Sequence, residues 1–207
     1  QDFIQSSSGI ENEPSQIPEF LELLGKTAEC ATVRLRSHPS LAIWCGGNEL
    51  MYAGTSRPVD ETLPAVALLA DICRKNCPHV HFVATTSSGP VFSFDERHPE
   101  NNHDVHGPWT YLGERDQYRV YNGAKYLFHS EFGCDGLSDV STLRRIFTPA
   151  NQKYVDMDES VVWRFRGEWW NGYKRDHLLF GDALTNDLET SVDCSQFVQA
   201  EGLRYAI

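Results

Sequence analysis

Short apolar runs alternate with segments of helical periodicity along this chain, and that order limits the folds open to it. Apolar residues recur every three or four positions from Phe20 to Leu35, which predicts a helix. Strand-like runs cover residues 41–44, 79–86 and 126–132, and further helices are predicted over about 64–75, 138–147 and 194–207. Strands that alternate with helices favour a parallel sheet covered by helices, either an open doubly wound sheet or a (β/α)₈ barrel.

The segments that follow the predicted strands decide between these two architectures. No G-x-G-x-x-G sequence and no P-loop follows any of them, which argues against a nucleotide-binding doubly wound sheet. Long loops do follow them, and in a barrel such loops build the active site. We therefore predict an α/β chain that forms part of a (β/α)₈ barrel.

Composition and charge exclude several classes of partner. The formal net charge is −11, and an acidic chain without a basic run repels phosphate backbones, so we predict no nucleic-acid partner. No apolar stretch approaches the roughly 20 residues that span a bilayer, so we predict no membrane partner. The chain starts with Gln1 and has no signal-peptide pattern, so we expect an interior cut of a longer polypeptide and leave the localisation open.

The first candidate for chemistry is an acid at the end of an apolar strand. Residues 41–44 are followed by Gly46 and Gly47 and then by Asn48 and Glu49. In a barrel, an acid at the carboxyl end of a strand faces the ligand. The alternative interpretation is that Asn48 and Glu49 form the N-cap of the next helix.

The second candidate is Glu131, which lies inside the apolar run 126–132. A buried carboxylate costs several kcal/mol unless it is paired, so Glu131 needs either a function or an ion pair with a neighbouring Arg. Glu49 and Glu131 both end predicted strands, with room for about three βα units between them, and could face each other across the barrel mouth. Glycoside hydrolysis with retention needs two carboxyl groups about 5–5.5 Å apart.

At these positions the chain resembles glycoside hydrolase family 2. The segment 38–49, which reads HPSLAIWCGGNE, is similar to the acid/base motif of that family, and Ser130-Glu131-Phe132-Gly133 is similar to its nucleophile motif in β-mannosidase-like members. Weaker resemblances cover the third barrel strand, the sixth strand and the helix after the seventh, at residues 1–3, 104–109 and 195–207.

The resemblance implies a role for each matching residue. Glu49 would be the general acid/base and Glu131 the nucleophile, without any cofactor or required metal. Asn48 would hydrogen-bond the 2-hydroxyl of the sugar, and His106 and Trp109 would line the sugar pocket.

Other positions bear on the sugar rather than on the reaction. Trp44 is a further candidate for substrate binding, although its place in the strand also suits a core residue. Gly47 stands where the family commonly has Asn, and residues 134–136 replace an aromatic or Gln of the mannosidase-like members. The identity of the sugar therefore stays open.

The resemblance also implies how the chain is organised. Residues 1–207 would form part of one catalytic barrel, from about strand 3 or 4 to strand 7, without the N-terminal β-sandwich domains and the last strand. Open sheet edges would then need a partner, either the remainder of the polypeptide or another copy of the chain.

The implied function is hydrolysis of terminal β-glycosidic bonds with retention, on a β-glycoside substrate. A β-mannosidase is favoured, ahead of β-galactosidase, β-glucuronidase and exo-glucosaminidase types. Two alternatives remain: a carbohydrate-binding barrel fragment without activity, and an unrelated α/β binding protein with two incidental acids.

Overall fold

The computed structural model describes residues 1–3, 13–95, 97–98, 103–167 and 172–207. The chain divides into two compact units. The first comprises Gln1–Gly107 and Ala124–Glu131, and the second comprises Pro108–Gly123 and Phe132–Ile207.

The first unit contains two pairs of short parallel strands. Strand β1 (Ile43–Cys45) pairs with β2 (His81–Val83), and β3 (Asp104–His106) pairs with β4 (Phe128–Glu131). Residues 1–3 lie parallel to β1, where the Phe3 N–H donates to the Cys45 carbonyl at 3.0 Å. The parallel pairing predicted from the alternation of elements is confirmed for these pairs.

Two helices cover β1 and bury its apolar side chains. Helices α1 (Pro18–Leu35) and α2 (Pro64–Asn76) both begin with a proline, whose fixed φ suits the first helical position. Their apolar faces pack against each other and against Trp44, which stacks on Phe3 with ring centroids 5.0 Å apart. This core anchors β1 and therefore the segment that follows it.

The second unit is built from helices. They are α3 (Glu114–Gly123), α4 (Val140–Ile146), α5 (Val161–Arg166), α6 (Gly172–Phe180) and α7 (Leu188–Ala206), with single 3₁₀ turns at Pro149–Asn151 and Gly181–Thr185. The Asp139 side chain accepts the Thr142 N–H and so caps α4, because a helix leaves its first N–H groups without internal partners. The core of this unit includes Phe147 stacked on Trp163, with centroids 4.2 Å apart.

Strands and helices therefore occur in the predicted order, but their lengths differ. The run 79–86 yields a strand of only three residues, and the predicted helix over 194–207 begins earlier, at Leu188. No helix begins at Asn48, since the next one starts at Pro64, so the N-cap interpretation of Asn48 and Glu49 is wrong. Within the described ranges, no helix combines the length and the apolar character needed to cross a membrane.

Candidate functional site

The turn after β1 places Glu49. The Gly46 N–H donates to the Val83 carbonyl at 2.9 Å, and the Glu49 N–H donates to the Thr86 carbonyl at 2.8 Å. A Cβ on Gly46 would lie 2.3 Å from the Ala84 carbonyl oxygen, so only glycine fits there. Glu49 itself has φ +54°, a left-handed conformation that costs a non-glycine residue about 1–2 kcal/mol. Such strain in a non-glycine residue is common at functional sites.

The pairing of β3 with β4 places Glu131 opposite His106. The register shifts between Val105 and His106, and this shift brings His106 level with Glu131. The Gly107 N–H donates to the Glu131 carbonyl at 2.8 Å, which holds the end of β4. The buried Asp104 carboxylate accepts the Ser130 N–H at 3.2 Å and therefore fixes the backbone directly before Glu131.

The two glutamates and His106 form one cluster in the first unit. One carboxylate oxygen of Glu49, one of Glu131 and a ring nitrogen of His106 all lie within 4.8 Å of one another. His106 Nε2 is 2.8 Å from Glu49 Oε1, and His106 Nδ1 is 3.8 Å from Glu131 Oε1. Both carboxylates retain 29% of their side-chain exposure, whereas His106 retains 6%. Two carboxylates at this distance, both open to solvent, can act on the two sides of one bound bond.

A threonine at the end of the β2 segment joins this cluster. The Thr86 hydroxyl lies 3.4 Å from Asn48 Oδ1 and 3.4 Å from Glu131 Oε1. Asn48, Thr86 and Glu131 line the same cavity, which has a volume of about 320 Å³. The structure therefore brings together four of the residues named from the sequence: Asn48, Glu49, His106 and Glu131.

Burial and neighbouring charges act on Glu131 in opposite directions. Burial raises the pKa of Glu131 above its usual value, and the nearby Glu49 charge raises it further. His106 and the Thr86 hydroxyl lower the pKa of Glu131 and partly offset that rise. The side chain beside the Glu131 carboxylate is thus the His106 ring, at 3.8 Å, and not the neighbouring arginine considered from the sequence.

The two tryptophans named from the sequence differ in their surroundings. Trp44 has no exposed surface and packs in the core of the first unit, so it cannot stack on a sugar, and its assignment to substrate binding is corrected. Trp109 belongs to the second unit, where it is 43% exposed and packs against Gly133. Its role in a sugar pocket stays a prediction.

Sequence reasoning missed Thr86 and the part played by Asp104. Thr86 ends the apolar run 79–86, and a polar residue at the carboxyl end of a barrel strand is a signal that could have marked it. Asp104 was named only as part of a strand. Its second carboxylate oxygen accepts the Ser88 N–H at 2.8 Å, a contact that sequence spacing does not reveal.

A solved structure shares the fold of this chain. The crystal structure of a β-D-mannosidase from Dictyoglomus thermophilum matches the whole chain with a TM-score of 0.71 and 22% identity, over 25% of its own length. A search against family models found no match.

Curated sequences of β-mannosidases are also similar to this chain. β-Mannosidase B of Emericella nidulans is 28% identical over 227 residues, and β-mannosidase B of Neosartorya fischeri is 28% identical over 222 residues. In both cases the match covers 99% of this chain, and the chain spans about a quarter of the length of the relative. The chain is similar to β-mannosidases over nearly its whole length, so the β-mannosidase-like resemblance predicted from its motifs is confirmed.

Proposed function

We propose that this chain carries the two catalytic carboxylates of a retaining β-glycosidase of the β-mannosidase type, in glycoside hydrolase family 2. The observation that carries the proposal is the approach of Glu49 and Glu131, whose carboxylate oxygens lie within 4.8 Å. Retaining glycosidases use carboxyl groups about 5–5.5 Å apart, whereas inverting enzymes separate them by about 6.5–9.5 Å to admit a water molecule. The similarity to β-mannosidases supports the same assignment.

The two glutamates have complementary roles in this reaction. The Glu131 carboxylate attacks the anomeric carbon and forms a glycosyl ester, while the Glu49 carboxyl group protonates the departing oxygen. Glu49, now ionised, then removes a proton from water, and the resulting attack on the ester releases the sugar and Glu131. Asn48 lines the same cavity as Glu131, which suits a hydrogen bond from its side chain to the sugar 2-hydroxyl.

The fold proposal follows the same relatives. We propose that residues 1–207 are part of one (β/α)₈ catalytic barrel, in which the parallel strands of the first unit correspond to about strands 3 or 4 to 7. The parallel pairing of β1 with β2 and of β3 with β4 supports this assignment. On this proposal, other segments of a longer polypeptide complete the barrel, as the greater length of the relatives suggests.

Hydrolysis of dinitrophenyl β-mannoside by the full-length polypeptide that carries this segment tests the proposal. We expect turnover, with the sugar first released as the β-anomer in an NMR time course, and slower turnover of the matching β-galactoside. Initial release of the α-anomer would contradict the retaining mechanism. Binding of mannose-containing ligands without turnover would instead support the alternative, a carbohydrate-binding fragment.

A further inference from the structure

The His106 ring lies between the two carboxylates and is held there on several sides. Nε2 is 2.8 Å from Glu49 Oε1, and Nδ1 is 3.8 Å from Glu131 Oε1. The Phe92 ring packs against the imidazole with centroids 4.6 Å apart, and the Phe94 N–H donates to the His106 carbonyl at 3.1 Å. A ring enclosed in this way has little freedom to turn toward a sugar.

The distances assign different interactions to the two ring nitrogens. A neutral imidazole carries one proton, so one nitrogen donates and the other accepts. The 2.8 Å distance to Glu49 is that of a hydrogen bond, which places the proton on Nε2. The 3.8 Å distance to Glu131 exceeds hydrogen-bond range, so that interaction is electrostatic.

We infer that His106 is a positioning residue that holds Glu49 by a hydrogen bond from Nε2 and couples it electrostatically to Glu131 through the same ring; this inference rests on the proposed function. Oε1 of Glu49 accepts the Nε2 proton, and Oε2 stays available to carry the proton for the leaving group. After that transfer, the same hydrogen bond stabilises the ionised Glu49 that must act as base. The Nε2 proton itself stays on the ring throughout the reaction.

A second histidine, His129, also lies close to His106. Glu49 faces the ring from the turn after β1, and Glu131 and His129 face it from β4. The His129 ring hydrogen-bonds the Gly107 carbonyl and the Tyr126 hydroxyl, at 2.7 and 3.1 Å. His129 is therefore a matched control, since it is a partly buried histidine whose ring nitrogens bond a backbone carbonyl and a tyrosine hydroxyl.

Steady-state kinetics of His106→Ala and His106→Gln in the full-length polypeptide test the inference. We expect kcat for a β-mannoside with a poor leaving group to fall by about 10- to 100-fold in His106→Ala, with KM nearly unchanged, and to recover partly in His106→Gln. Without the Nε2 donor the ionised form of Glu49 is less stable, so the basic limb of the pH–rate profile should move to higher pH. His129→Gln should leave that limb in place.

Two kinetic results would overturn the inference. A rise in KM at unchanged kcat would make His106 a sugar contact, as the sequence motif implied. A basic limb that stays at the wild-type pH in both His106 variants would show that His106 does not stabilise the ionised form of Glu49.

NMR of the ¹⁵N-histidine-labelled 207-residue chain tests the hydrogen bond without replacing His106. We expect an exchange-protected Nε2 proton signal for His106 that disappears in Glu49→Ala and persists in Glu131→Ala, while the His129 signals stay constant as an internal control. An Nε2 signal that survives in Glu49→Ala would overturn the inference, even in an active enzyme. If the signal depends on Glu49 but the full-length polypeptide hydrolyses no β-glycoside, the proposed function fails and the hydrogen bond stands.

Discussion

Glu49 and Glu131 share one cluster but differ in their surroundings. Glu49 sits in a left-handed backbone conformation and accepts a hydrogen bond from His106 in the arrangement inferred above. Glu131 ends a strand, and burial raises its pKa while His106 lowers it. Two carboxyl groups in different environments can hold different protonation states at one pH, which the proposed reaction requires.

We expect Glu131→Ala and Glu49→Ala to fail in different ways in the full-length polypeptide. Loss of the nucleophile should abolish turnover of every glycoside, and azide should restore part of it with a product of inverted configuration. Loss of the acid/base should slow poor leaving groups most, because a dinitrophenol needs little protonation, and azide should then give a product of retained configuration. Turnover of a dinitrophenyl and an alkyl β-mannoside, with and without azide, measures both effects. The reverse pattern would show that Glu49 is the nucleophile and Glu131 the acid/base. Wild-type rates in both variants would show that neither glutamate is catalytic.

Thr86 allows a finer test of the cavity. Its hydroxyl lies 3.4 Å from both Asn48 Oδ1 and Glu131 Oε1, and the single hydroxyl proton can donate only a long and therefore weak hydrogen bond to one of them or be shared between them. We expect Thr86→Val, which keeps the shape and removes the hydroxyl, to lower kcat/KM for a β-mannoside about 3- to 10-fold. Thr86→Ser restores the hydroxyl and should regain most of that activity. Wild-type activity in Thr86→Val together with a loss in Thr86→Ser would show that the Thr86 methyl group matters and the hydroxyl does not.

At the scale of elements, the site depends on how closely neighbouring strand ends approach. Gly46 lets the turn after β1 contact the backbone at the end of β2, and the register shift in β3 sets His106 opposite Glu131. Asp104 then joins the segment after β2 to β4 through Ser88 and Ser130. Each of these contacts fixes the backbone and not a reacting group. A substitution that disrupts one of them should therefore displace both carboxylates together.

Gly46→Ala tests the close approach of β1 and β2. The new Cβ would lie 2.3 Å from the Ala84 carbonyl oxygen, and rigid backbone must move to relieve that overlap. We expect the free energy of unfolding to fall by about 1–3 kcal/mol, as for other overpacked sites, measured by urea denaturation. Gly123→Ala is the control, because a Cβ on Gly123 meets no atom within 4 Å. Equal stability of the two variants would contradict the close approach.

At the scale of the whole molecule, the chain spans about a quarter of the length of the relatives that it matches. In β4, Phe128 is 43% exposed, and Leu127 directly before the strand is 88% exposed. Apolar side chains beside a strand are normally covered, by the rest of a barrel in the architecture proposed here.

We therefore expect the 207-residue chain alone to have little activity. Its turnover of dinitrophenyl β-mannoside should be below about 1% of that of the full-length polypeptide at equal molarity, because positioning within about 1 Å is needed for efficient catalysis. Gel filtration of the same sample identifies any oligomer that supplies covering strands. Full activity of a monomeric 207-residue chain would refute the proposed division of the barrel.

Local sequence patterns predict the order of the helices and strands and the class of chemistry. Helical spacing from Phe20 to Leu35 and the apolar runs near Trp44 and Phe128 specify the element order, because periodicity reports which faces are buried. The motifs around Glu49 and Glu131 predict the class of chemistry, and the similarity to β-mannosidases agrees with that prediction. These features depend on neighbours along the chain, which a sequence displays directly.

Tertiary structure decided which side chains of the candidate site contact one another. His106 meets Glu49 and Glu131, and Thr86 meets Asn48, only through the pairing and register of strands that are distant in sequence. The same packing buried Trp44 completely, although its position near Glu49 in the chain suggested a ligand contact. Sequence spacing does not determine strand register or which face of a short strand is covered, because long-range packing selects both.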